Sequence, residues 1–163
     1  MHRPGSVVLL RLLEILEQTG GRVKSPTVIL FTVREEEGGH GAKAFAQRER
    51  PEVLISIDGC PMPPGAPLKL DGRPAICSQD TCAHYDQALL RELCGAAREA
   101  GTELQPVVFE AAATDASMAF SAGAADRIAY FGHPRESSHG YEVARLSVFD
   151  NVVKTLVGYL APV

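Results

Sequence analysis

The sequence predicts an α/β domain with a mixed, largely parallel sheet and helices on both faces, and three observations carry that expectation. Helix-type and strand-type runs alternate along the chain. The strand-type runs are short, continuous and apolar, as strands covered on both faces are. At 163 residues, 45% hydrophobic and 22% charged, the chain has material for one core and not comfortably for two, so residues 1–163 are expected to form a single domain.

The elements follow in order. Ser6 to Gln18 places apolar residues at helical spacing and stops at Gly20-Gly21, where left-handed backbone is easy. Thr27 to Val33 is a β-branched and apolar run that predicts a buried strand. Gly41 to Gln47 predicts a short helix, Val53 to Ile57 a strand and, past the proline-rich loop GCPMPPGAP, Arg73 to Cys77 another. Tyr85 to Ala100 is an amphipathic helix closed by Gly101, and Pro106 to Phe109 a strand. Ala116 to Ala125 is a helix of small residues, Arg127 to Phe131 a strand, and Val148 to Leu160 a closing helix before Pro162.

Composition excludes several function classes. A net charge of −4, with no lysine or arginine cluster, argues against a nucleic-acid surface. SVVLLRLLEILEQ carries an arginine and two glutamates within three turns, so it is neither a signal-peptide core nor a membrane span. Cys60, Cys77, Cys82 and Cys94 form no C-x-x-C pair and are expected to be small hydrophobes or free thiols in a soluble, cytoplasmic protein. There is no G-x-S-x-G, no H-E-x-x-H and no phosphate-binding glycine loop; GGHG lacks the lysine and spacing of one.

The polar residues gather where an α/β sheet usually places a ligand, beyond the carboxyl ends of strands. Thr27 to Val33 runs into Arg34-Glu35-Glu36-Glu37, Val53 to Ile57 into Asp58, and Arg127 to Phe131 into GHPRESSHG with His133 and His139. Carboxylates and imidazole on one rim suit zinc, manganese or cobalt, a further glutamate can act as general base, and cationic charge would offset the repulsion within the triple glutamate. Two plainer readings stand beside this one. Strand-end acids serve as solvated turn residues, and negative charge is favourable just ahead of the Gly41 to Gln47 helix. Asp115 serves equally well as an N-cap for the Ala116 helix. Among the histidines, His2, His40, His84 and His133 compete with His139 for any ligand role.

VILFTVREEEGGHGAKAF resembles the Glu-Glu motif of the dinuclear metallo-aminopeptidases of the glutamyl-aminopeptidase and tetrahedral-aminopeptidase family, and the similarity continues in order. VLISIDG is similar to the family's strand with a metal-ligand aspartate, and the span from DGRPAICSQ to TDASMAF to the segment running from its Gly-Pro-Ala strand to its Thr-Asp-Ala motif. RIAYFGHPRESSHGYEV resembles the strand and loop carrying its last histidine ligand, and SVFDNVVKTLVGYL its closing helix. The resemblance implies Glu35 as general base, Glu36 and His139 as ligands of one metal and Asp58 of the other. It places Asp115 in the substrate pocket or behind the ligands, and implies two divalent ions, zinc or cobalt, and short peptides as substrates. A one-residue gap in SSHGYEV keeps His133 as a second candidate for the histidine.

Against that pattern the chain corresponds to the carboxyl-terminal portion of the catalytic domain. The family's upstream His-x-Asp motif, its inserted lid domain and its bridging aspartate fall before the matched span, with Met1 at the aspartate's position. Two functions are therefore expected to compete. One is a metal-dependent aminopeptidase that removes N-terminal residues from short peptides with metal-activated water. The other is a non-catalytic remnant or binding subunit that needs a separate amino-terminal half. An edge left uncovered predicts a homo-oligomer or a protein partner, and neither nucleic acid nor membrane is expected as one.

Overall fold

The computed structural model describes residues 3–161. Its elements are helices α1 (Arg3–Gln18) and α2 (His40–Glu49), strands β1 (Val53–Pro61) and β2 (Ala75–Gln79), helix α3 (Gln87–Glu99), strand β3 (Gln105–Val108), helix α4 (Asp115–Ser121), strand β4 (Arg127–Arg135) and helix α5 (Leu146–Leu160). The sheet order is β1-β4-β2-β3. β1 runs parallel to β4 and β2 parallel to β3, while β2 and β4 are antiparallel, so the sheet is mixed with two of its three pairings parallel. α1, α3 and α5 pack together, α2 and α4 pack together, and both groups reach β4, which puts helices on both faces.

β4 is central because its sequence can be covered on both sides. Ile128, Ala129, Tyr130 and Phe131 are all buried, and Leu89, Leu93, Val152 and Leu156 pack into the same core from α3 and α5. Each such side chain removed from water contributes about 1.5–3 kcal/mol. α3 starts where Asp86 accepts the Leu89 N–H at 2.7 Å, and α4 where Thr114 and Ser117 form a reciprocal capping box.

The structure departs from the sequence expectation at residues 27–33. They form no strand; Val28 and Val33 are 69% and 70% exposed, and Phe31 is exposed too. A β-branched run becomes a strand only when it has an edge to pair with. Here the segment faces β1 across a cleft of about 1450 Å³ lined also by Gly5, Leu9 and Leu12 of α1. Among the described residues, the β1 edge away from β4 carries no strand. β1 and β4, conversely, continue four residues beyond the predicted Ile57 and Phe131, carrying Asp58 and His133 as strand residues.

Candidate active site

The segment after Val33 turns sharply, and its glycines are why. Arg34 has a φ of 56°, Gly38 106° and Gly39 65°, and the N–H groups of Gly38 and Gly39 both bond the Glu35 carbonyl at 3.0 Å. Gly41 lets the first turn of α2 rest on Val33, since a Cβ there would come within 2.7 Å of the Val33 nitrogen. This turn sends the three glutamates in different directions. Glu37 lies 3.9 Å from the Arg34 guanidinium, Glu36 reaches His139 with Oε2 3.5 Å from Nε2, and Glu35 is half-buried.

Glu35, Glu36 and Asp58 all line the 1450 Å³ cleft and a second cleft of about 920 Å³, to which His139, Arg135, Phe109 and prolines 61, 63 and 64 also contribute. Asp58 sits opposite Gly132 in the β1–β4 ladder, its Oδ1 accepting the Gly59 N–H at 2.5 Å. Asp115 is the first residue of α4; its Oδ2 accepts the Thr32 hydroxyl at 2.5 Å, and the Ala116 N–H bonds Ser56 Oγ at 2.8 Å. Asp115 thus ties α4 to the strap that carries the glutamates, while Thr114 takes the N-cap role.

Of His133 and His139, the structure brings His139 to the carboxylates. His133 is buried, its ring 4.9 Å from that of Phe149 on α5, and it lines neither cleft. His40 and His84 line neither cleft, and His2 lies outside the described residues.

Two features behind this rim had escaped the sequence reading. Buried Asp80 accepts the Tyr85 hydroxyl at 2.7 Å, and Tyr85 in turn meets Thr114 Oγ1 at 2.8 Å, bracing the α4 N-terminus. Burial pushes the Tyr85 phenol up, so it stays protonated and donates. The second is Arg135, buried at the end of β4 and paired with Glu142. Neither pair has a sequence signature, because partners five and seven residues apart match neither the contact spacing of a helix nor that of a strand and meet only when their loops close.

Residues 2–155 match the family model of the M42 glutamyl aminopeptidases. The chain belongs to that family. Among solved structures, this M42 chain is similar to the TET1 peptidase of Pyrococcus horikoshii, which can assemble into a tetrahedron or a large octahedral shell, with a TM-score of 0.87 and 26% identity over 99% of this chain and 48% of that one. It is also similar to an aminopeptidase of the archaeon Desulfurococcus kamchatkensis, at TM-score 0.81 and 25% identity, covering 97% and 46% of the two chains. A TET aminopeptidase from a marine-sediment thaumarchaeon shares the fold at TM-score 0.89 and 20% identity, again covering 97% and 46%. The M42 chain therefore spans about half the length of these relatives. No curated protein matches it at a significant level.

M42 membership implies a divalent metal, and the donors on the rim have the right chemistry for one, carboxylate oxygen with imidazole nitrogen. Glu36 and His139 already face each other. Among the described residues no three or more His, Cys, Asp or Glu side chains gather into one cluster, so the structure shows a pair of donors with Asp58 on the same cleft. No helix among the described residues is long and apolar enough to cross a membrane.

Proposed function

We propose that this M42 chain contributes one part of the catalytic centre of a metal-dependent aminopeptidase acting on short peptides with a free N-terminus. The observation that carries the reading is the meeting of Glu36 and His139, distant in sequence, on a cleft shared with Glu35 and Asp58. Glu36 and His139 would hold one ion and Asp58 would contribute to a second, zinc or cobalt. When bound, such an ion supplies a Lewis acid for the scissile carbonyl and lowers the pKa of water toward about 7. Glu35 takes the proton from the attacking water and returns it to the leaving amine. Asp115, held by Thr32, forms the wall behind the substrate. The coverage of about half of each relative supports reading residues 1–163 as one portion of a larger catalytic domain. The relatives' shells support self-association of this chain. Its four unpaired cysteines support a cytoplasmic setting.

Calorimetry with zinc and cobalt, alongside hydrolysis of aminoacyl anilides, tests this. Binding that is lost in both Glu36→Ala and His139→Ala, with turnover falling about 10²–10⁴-fold in Glu35→Ala, is the expected result. Turnover that survives Glu35→Ala would overturn the proposed base. The second reading, a non-catalytic subunit, has the absence of a three-donor cluster among the described residues in its favour. It prevails if the purified chain binds neither metal.

A further inference from the structure

Arg135 ends β4 with its side chain only 7% exposed, and its guanidinium donates through Nη1 to Glu142 Oε1. The same oxygen accepts the His139 N–H at 3.2 Å. One carboxylate oxygen therefore ties the end of the central strand to the backbone of the histidine residue. The intervening loop is closed at its base by an antiparallel bridge between Glu136 and Val143, whose Glu136 N–H reaches the Val143 carbonyl at 3.0 Å.

Inside this loop Ser137 and His139 have φ values of 56° and 63°. Neither is glycine, and left-handed backbone is unfavourable for residues of this kind. Such a conformation persists only where surrounding bonds over-determine it. At His139 that conformation sets where the imidazole lies, with Nε2 3.5 Å from Glu36. The guanidinium has room to lie across β1 because residue 59 is glycine; a Cβ there would sit 2.6 Å from Arg135 Cδ and 2.7 Å from Cζ. Gly59, Arg135 and Glu142 thus form a continuous path from the sheet interior to the loop backbone.

We infer that Arg135 and Glu142 are positioning residues, a clamp rooted in a buried arginine that holds His139 in a left-handed conformation so that its ring faces Glu36. The inference rests on the proposed site for its consequence and on the apo geometry for its substance. Neither residue needs to touch substrate or metal for the clamp to act. The preorganisation of a ligand histidine against its neighbouring donor is what determines how much of the binding free energy is lost to ordering the loop.

The test uses Glu142→Ala and the double variant Arg135→Met/Glu142→Leu. The double variant removes both charges together, so it leaves no unpaired buried guanidinium and keeps the experiment decisive if Glu142→Ala does not fold. The first readout needs no metal: the ¹⁵N shift of His139 Nε2, compared with and without Glu36→Gln. In the starting protein Glu36→Gln moves that signal; in either clamp variant it is expected to move it no longer, with thermal unfolding still cooperative. The second readout is cobalt affinity, expected to fall about 10–100-fold in the clamp variants. Glu142→Gln, which keeps an acceptor oxygen, is expected to restore most of both. If His139 continues to sense Glu36 in the folded double variant, or cobalt binds it as tightly as the starting protein, the clamp is refuted. If the starting protein binds no cobalt, the proposed metal function fails while the ¹⁵N readout alone decides the clamp.

Discussion

Each of the three consecutive glutamates meets a different neighbourhood. Glu37 lies against the Arg34 guanidinium, Glu36 against the His139 ring, and Glu35 half-buried between the two clefts. Their repulsion is relieved by the turn at Gly38-Gly39, which sends them apart, and by the Arg34 guanidinium beside Glu37. The cysteines give a separate prediction at this scale. Burial pushes the Cys77 thiol up to about 12 and Cys60 higher still, whereas Cys82 is exposed and Cys94 only partly covered, its thiol also raised by burial. Since the thiolate is the nucleophile, maleimide at neutral pH is expected to label Cys82 first and Cys94 slowly, with Cys60 and Cys77 reacting only in denaturant. Peptide mapping after brief labelling checks this, and native-state modification of Cys77 would contradict the core described here. Glu36, Asp58 and His139 stood out in the sequence through the apolar runs before them and the order of the motifs, although no strand precedes Glu36 and Asp58 lies inside β1. Arg135 and Glu142 did not, since the bond from the His139 N–H to Glu142, and from Arg135 to the same carboxylate, exists only once the loop has closed.

The elements show where local signals suffice. The start of α3 is written in Asp86, whose carboxyl is held below its ordinary range by the Leu89 N–H and by the Arg127 guanidinium. Its folded pKa therefore lies below the unfolded value of about 3.9, so the stabilisation is present above that value and lost as pH falls through the folded pKa. Asp86→Ala is expected to cost about 1 kcal/mol in urea unfolding near neutral pH, and the difference from the unchanged protein should shrink once the medium falls below about pH 4. A penalty that is independent of pH would show that the cap contributes through packing instead. At Gly132 the constraint is steric: in the β1–β4 ladder a Cβ would run into the Asp58 carbonyl oxygen. Gly132→Ala is expected to destabilise by about 1–3 kcal/mol and to disturb Asp58 with it, measured as a lower urea midpoint together with weaker cobalt binding. The run 27–33 is the counterexample, with strand composition but no strand. Whether the run reaches the β1 edge or stands across a cleft from it is a property of the assembled sheet, so no window of sequence reports it.

At the scale of the molecule, a β1 edge that no strand covers among the described residues, together with exposed apolar side chains on α1 and the strap, predicts association. Val7, Leu10 and Leu13 on α1 and Val28, Phe31 and Val33 on the strap are all exposed. Apolar groups at that density next to an unpaired edge favour burial against protein. Light scattering is expected to report a mass above that of the 17.5 kDa chain and to lose part of the excess in Phe31→Glu; a monomer at all concentrations would contradict it.

The sequence by itself determined most of the alternation of helices and strands, the buried character of the central strand, and the order of acid and histidine segments. Each of these depends on residues close together in the chain. Only the tertiary structure decided that His139 and not His133 meets Glu36 and that residues 27–33 stay off the sheet. Those outcomes depend on which strand edges are filled and which side chains are enclosed, and such conditions arise from packing between segments remote in sequence, where periodicity carries no information.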